Sequence, residues 1–184
     1  MHFKKLGKSD LNVSSYCLGT MTFGETTSEN DGHSQIDQSL EYGINFLDTA
    51  EMYPTCPLRK ETTGNTEIII GNWLEKNKSK RSEIILASKI SGKGYNAVRN
   101  GEGINEKSIK IAIEGSLKKL KTDYVDLYQL HWPNRGSYHF RQNWNYNPTI
   151  QDTLTAKENI LGVLRALSDI QKEGKIRYIG LSNE

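Results

Sequence analysis

The chain has 184 residues, of which 25% are charged and 35% hydrophobic, and its formal net charge is +2. That length suits one sizeable domain and not two ordinary ones. The near balance of charge gives no general pull toward nucleic acid or an anionic membrane, and no apolar run approaches the ~20 residues that span a bilayer. The N-terminus, MHFKKLGKSD, lacks the apolar core of a signal peptide, so the cytosol is the expected compartment. The one basic cluster, residues 76–81 (KNKSKR), reads as a solvated helix end and turn. Cys17 and Cys56 fit neither a disulfide framework nor a metal site, and Cys56 reads as a plain loop cysteine. His2, His33, His131 and His139 lack the paired spacing of a zinc ligand set, so no structural metal is expected.

Taken in order, residues 3–13 read as a small hairpin with turn chemistry at 7–10. A short strand follows around 16–21 (YCLGTM), then a loop over 22–28. Ser28 opens a helix with Glu29 and Asp31 in its first turn, Ile36 and Leu40 on one face, and Gly43 as its stop. Residues 44–47 form the next strand, and Asp48 stands at its end. Tyr53 comes a few residues later, in a segment that Pro54 and Pro57 keep from being helix or central strand. Residues 66–77 look helical, with Ile69 and Trp73 one turn apart.

Residues 84–90 (IILASKI) are a further apolar strand carrying Lys89 near its end, and 91–103 is loop. Asn105 caps a long helix striped by Ile109, Ile113, Leu117 and Leu120. Residues 124–130 (YVDLYQL) are a strand ended by His131, with Asp126 facing away from one apolar layer. A long loop over 133–147 carries Tyr138, Phe140, Trp144 and Tyr146. Ile160, Leu161, Leu164, Leu167 and Ile170 mark the last helix, and 176–181 the last strand, followed by Ser182, Asn183 and Glu184. Short apolar strands alternating with amphipathic helices call for a parallel sheet with right-handed crossovers. A doubly wound open sheet and a (β/α) barrel both satisfy that order.

In a barrel, residues just past the strand C-termini converge on one face. Asp48, Lys89, His131 and the pair Ser182–Asn183 fall at such positions, and Tyr53 lies in a loop on that face. Singly, Asp48 suits a helix cap and Tyr53 a half-buried packing role; together the set has a definite chemistry. An ammonium beside a phenol favours loss of the phenol proton, and a carboxylate beside the ammonium keeps it charged and fixed. A neutral imidazole orients a carbonyl by hydrogen bonding. Such a unit delivers a proton to a developing alkoxide but lacks a hydride, which requires a nicotinamide or flavin. No Gly-x-Gly-x-x-Gly follows any strand, so a Rossmann-type pyrophosphate turn is absent.

These residues lie in segments that resemble the aldo-keto reductases, most closely their bacterial Tas-like branch. The carriers are LGTMTFGE (18–25), GINFLDTAEMYP (43–54), GNWL (71–74), ASK (87–89), TDYVDLYQLHWP (122–133) and GKIRYIGLSNE (174–184). The resemblance implies an α/β fold, a (β/α)8 TIM-type barrel closed at its base by an N-terminal hairpin. It implies reduction of aldehydes or ketones with NADPH, with Asp48, Tyr53, Lys89 and His131 as the catalytic set and Tyr53 as proton donor. Ser182 and Asn183 would hold the nicotinamide carboxamide, and the backbone of Gly19, Thr20 and Met21 would lie beside the nicotinamide ribose, near Asp48. Phe23, His131 and Trp132, with the aromatics of the 133–147 loop, would wall the pocket for a small carbonyl substrate, plain packing being the alternative for each aromatic.

The family's barrel has eight strands and roughly 250 residues or more. This sequence supplies about five β/α units, so residues 1–184 are expected to form the N-terminal portion of a single barrel domain. The segments that bind the pyrophosphate and the 2′-phosphate in the family would lie in the remainder. An incomplete barrel has open strand edges and an exposed apolar face, and calls for a complementary C-terminal half. Two other readings stand beside the reductase: a cofactor-binding regulatory subunit resembling the potassium-channel β proteins, and a non-catalytic fragment.

Overall fold

The first element is a hairpin, β1 (Phe3–Lys5) and β2 (Asn12–Ser14), paired antiparallel. The other strands are β3 (Cys17–Gly19), β4 (Phe46–Asp48), β5 (Ile85–Ile90), β6 (Val125–Leu130) and β7 (Ile176–Leu181). Helices α1 (Glu29–Glu41), α2 (Asn65–Lys76), α3 (Glu106–Leu120) and α4 (Thr153–Lys172) connect them in turn. The structure is a computed structural model and describes residues 1–138 and 144–183.

Strands β3 to β7 are all parallel and lie side by side in chain order. A doubly wound sheet reverses its strand order at a switch point, whereas a barrel does not. The unbroken order therefore decides between the two architectures: these are four β/α units and a fifth strand of a (β/α)8-type barrel. Among the described residues, neither β3 nor β7 pairs with a further strand on its outer side. Leu161 and Leu164 of α4 and Leu181 of β7 are exposed beside that open edge.

Period-two alternation sorts the side chains between the two faces of the sheet. Leu47, Leu86 and Tyr128 join the core packed under the helices, with Ile36, Trp73 and Ile113 among its members. Asp48, Lys89 and Gln129 point the other way, into the space a barrel would enclose. The hairpin sits at the N-terminal ends of the strands. Asn45, just before β4, accepts from the Ser14 N–H at 2.8 Å and donates to the Asn12 carbonyl at 3.0 Å. Across the base, the Tyr178 hydroxyl donates to Asp10 at 2.8 Å.

Three helices begin on side-chain caps. Ser28 accepts from the Asp31 N–H, Asn105 and Ser108 form a reciprocal capping box, and Asp152 accepts from Leu154 and Thr155. Asp152 moves the start of α4 several residues ahead of its apolar stripe. Gly43, with φ of 79°, ends the first helix as expected.

Two readings need revision. Arg81 is not part of a solvated turn: its guanidinium donates to Asp126 at 2.9 Å and to the Tyr124 carbonyl at 2.9 Å, and stacks on the Tyr124 ring at 3.9 Å. Asp126 is buried between Arg81 and Arg177 and accepts the Leu86 N–H, so it is a stitch at the sheet base. Phe23 is wholly buried in the core, with its ring 3.0 Å from where a Gly32 Cβ would stand, and it walls no pocket. A ring that small glycine lets slide under α1 gains more from full burial than it would at an open rim.

Helices α2 and α3 approach backbone to backbone at Gly71, where an added Cβ would lie 2.0 Å from the Lys119 carbonyl. Gly115 of α3 meets nothing closer than 4.0 Å. Urea denaturation should therefore separate the two: Gly71→Ala costs about 1–3 kcal/mol from overpacking, while Gly115→Ala gains about 0.5–1 kcal/mol of helix propensity.

Candidate active site

The hydrogen-bond ladder of the sheet runs on past the strand ends and builds a rim. Thr49 N–H donates to the Ala87 carbonyl at 2.9 Å, His131 N–H to Ile90 at 2.9 Å, and Ser182 N–H to Leu130 at 2.9 Å. Each bond fixes the backbone one residue beyond a strand, where a side chain can face the mouth. Asp48, Lys89, His131 and Ser182 thereby stand on one rim.

Lys89 is buried and its ammonium has three acceptors. It donates to Asp48 Oδ2 at 2.6 Å, to the Thr49 carbonyl at 2.9 Å and to Tyr53 Oη at 3.4 Å. An ammonium has three protons, so this set uses all of them. The Tyr53 oxygen accepts from Lys89, which leaves its own O–H to donate elsewhere. The second Asp48 oxygen accepts from Gln129 Nε2 at 3.2 Å. Thr20 braces the same residue from behind, its N–H and hydroxyl both donating to the Asp48 carbonyl at 3.2 and 2.8 Å.

The His131 ring meets the Tyr53 ring edge-on, with centroids 5.6 Å apart. Burial, and then the nearby Lys89 charge, push the His131 imidazole down from its usual value to about 3. It is neutral at any physiological pH and carries one N–H donor. Tyr53 is held by its backbone: its N–H donates to Ala50 at 3.0 Å, and its carbonyl accepts from Gly64 at 2.9 Å, at the start of α2.

The structure thus brings Asp48, Tyr53, Lys89 and His131 together, as the sequence pattern required. Ser182 and Asn183 stand beside them. Asn183 Nδ2 donates to the His131 carbonyl and to Ser182 Oγ, both at 2.9 Å. Gly19 has open space where a Cβ would stand, and Met21 is exposed. Thr20 differs from expectation: it is wholly buried, and its carbonyl also accepts from Phe23 N–H, so its polar groups face the chain. Trp132 packs beside His131 with ring centroids 5.0 Å apart and donates its indole N–H to the Lys93 carbonyl at 3.1 Å.

A cleft of about 1530 Å³ opens next to the rim, and the described residues lining it include Met52, Tyr95, Trp132 and Tyr146, but none of the quartet. Of the loop aromatics, Tyr138 and Tyr146 meet edge-on at 4.8 Å and Trp144 is exposed, while Phe140 lies outside the described residues, as do His139 and Glu184. Among the described residues no cluster of His, Cys, Asp and Glu could hold a metal ion, and no helix is long and apolar enough to cross a membrane. Sequence reasoning missed Gln129 and Glu51. Gln129 is readable in hindsight, as the one amide inside an apolar strand.

Residues 16–184 match the model of the Aldo/keto reductase family. The chain belongs to the aldo-keto reductases. Protein tas of Escherichia coli (strain K12) is 47% identical over 187 residues, an overlap of 100% of this chain and 52% of that protein. The oxidoreductase YqkF of Bacillus subtilis (strain 168) is 35% identical over 184 residues, covering 100% of this chain and 49% of the relative. Among solved structures, the holo form of aldo-keto reductase AKR11C1 from Bacillus halodurans superposes with a TM-score of 0.71 at 33% identity, over 100% of this chain and 50% of the other. The chain spans about half the length of the curated relatives it matches.

A neutral buried imidazole has a signed effect on stability. The unfolded chain protonates His131 near its ordinary 6.5, and the folded chain only near 3, so between those values the unfolded state binds more protons. Stability from this group is full above about 6.5 and is lost as the pH falls toward 3. Melting curves recorded from pH 7 to pH 4.5 should show His131→Gln losing less stability on acidification than the parent protein.

Proposed function

We propose that this aldo-keto reductase, as one barrel domain with residues 1–184 as its N-terminal portion, reduces small aldehydes or ketones with NADPH in the cytosol. Tyr53 is the proton donor. The observation that carries the reading is the three-way hold on Lys89, which places one ammonium against both the Asp48 carboxylate and the Tyr53 hydroxyl.

The residues fit a nicotinamide. Its carboxamide needs one donor and one acceptor. Asn183 Nδ2 donates within the chain, which leaves its Oδ1 to serve as the acceptor, and Ser182, whose oxygen accepts from Asn183, retains its hydroxyl proton as the donor. The open space over Gly19 suits close approach of a sugar. When bound, the nicotinamide supplies the hydride. Further strands, continuous with this chain or on a complementary half, supply the rest of the dinucleotide's cradle.

The chain's own residues handle the proton and the charge. His131, neutral, donates its N–H to the substrate carbonyl oxygen and sets its orientation. Tyr53 gives its proton to that oxygen as negative charge develops there. The phenolate left behind faces the Lys89 ammonium, which Asp48 holds in place. The cleft walled by Trp132 receives the remainder of the substrate.

The test follows absorbance of NADPH in the presence of an aldehyde. Tyr53→Phe should lower kcat by about 10²–10⁴-fold while NADPH binding, read by fluorescence titration, stays within a few-fold of the parent. Turnover undiminished in Tyr53→Phe would contradict the assignment.

A further inference from the structure

Glu51 is nearly fully buried two residues before Tyr53, and the proton-transfer scheme does not use it. Its backbone N–H donates to the Lys89 carbonyl at 3.2 Å. Its side chain then reaches forward: Oε1 accepts the Ser91 N–H at 2.5 Å. The β4–β5 ladder therefore gains its last rung from a carboxylate. Arg99 closes the arrangement, pairing through Nη1 with Glu51 Oε2 and donating from Nη2 to the Ser91 carbonyl at 2.9 Å.

Arg99 and Asn100 both adopt left-handed backbone, with φ of 46° and 53°. Non-glycine residues take that conformation at a cost, and two in succession need something to hold them. The buried ion pair anchors the first of them, beside turn hydrogen bonds from the Gly101 N–H to the Val98 carbonyl at 2.9 Å and from the Glu102 N–H to the Arg99 carbonyl at 3.0 Å. Burial pushes the Glu51 carboxyl up from its ordinary range, and Arg99 pulls against that rise. The pair is thus one unit: each charge is buried against the other.

We propose that the Glu51–Arg99 pair is a positioning clamp that ties the Tyr53 segment to the end of the Lys89 strand and so sets the reach between Tyr53 Oη and Lys89 Nζ. The inference rests on the carbonyl-reduction reading of those two residues. Apart from the Lys89–Tyr53 contact whose reach is at issue, the described hydrogen bonds that join the two segments beyond Thr49 are the Glu51 backbone bond and the Glu51–Ser91 bond. An error of about an ångström between reacting groups is enough to cost on the order of 100-fold in rate. A recess of about 260 Å³ reaches Glu51 and Arg99 past Ala112 and Gly115, which gives a small cation a route to the pair.

The experiment compares the parent, Glu51→Gln, Arg99→Ala and Arg99→Lys. Glu51→Gln keeps an acceptor for Ser91 and loses only the charge. Two readouts are taken: kcat and KM for aldehyde reduction, and amide hydrogen exchange over residues 49–53 and 89–92. The clamp predicts kcat lowered about 10- to 100-fold in Arg99→Ala and Glu51→Gln, with KM for NADPH within about 3-fold. It predicts faster exchange in both segments and none in α1. Added guanidinium restores part of both in Arg99→Ala and neither in Glu51→Gln, and Arg99→Lys falls between. Parental kcat in Arg99→Ala overturns the clamp, as does exchange that rises equally in α1. If the parent reduces no aldehyde, the carbonyl-reduction reading fails instead, and exchange with its guanidinium rescue alone decides whether the clamp exists.

Discussion

A charged amine stays buried only where each of its protons has an acceptor, and Lys89 meets that condition with Asp48, the Thr49 carbonyl and Tyr53. The rest of the site follows from keeping that arrangement intact. Asp48 carries the balancing charge, so its own position must be fixed: Gln129 holds its free oxygen and Thr20 holds its backbone. The same cation helps to keep His131 neutral, because a second positive charge at that distance is unfavourable. One buried cation thus adds to what burial does to the protonation of its neighbour, and touches the phenol as well.

The fold provides that arrangement through parallel pairing. Parallel strands present all their C-terminal ends at one edge, and ladder bonds continue past those ends at Thr49, His131 and Ser182. Each added bond costs little, because the neighbouring strand is already in register. At His131 and Ser182 the bond also brings a polar side chain to the mouth. Helices capped at Ser28, Asn105 and Asp152 cover the opposite face, and close contact at Gly71 sets how tightly two of them pack. The candidate site and the core packing are therefore separated by the pleat: alternate residues of one strand serve the two ends.

The order of strands and helices was legible because periodicity of two and of 3.6 residues is local. Asp48, Lys89 and His131 were legible because each is a polar residue at the end of an apolar run. The choice between barrel and open sheet was legible only through the resemblance of the motifs, since it depends on which strands become neighbours, and periodicity is silent on that. Phe23 was misread for a related reason: whether an aromatic in a loop lines a mouth or fills the core depends on what α1 brings near it, and Gly32 leaves room. Arg81 and Asp126 lie far apart in sequence and looked like an exposed cation and an outward-facing acid, until the strand base joined them. Glu51 sat in plain view beside Asp48, yet its burial and its partner in a loop rich in Gly and Asn are properties of the path of the chain.

In the proposed mechanism Asp48, Lys89 and Tyr53 act as one unit and not as three separate aids. A double-mutant cycle on turnover measures that most directly, using Tyr53→Phe, Lys89→Met and the double variant with NADPH and an aldehyde. If the ammonium works through the phenol, the double variant is about as slow as Tyr53→Phe alone. If the two penalties multiply, the groups act independently and the account is wrong.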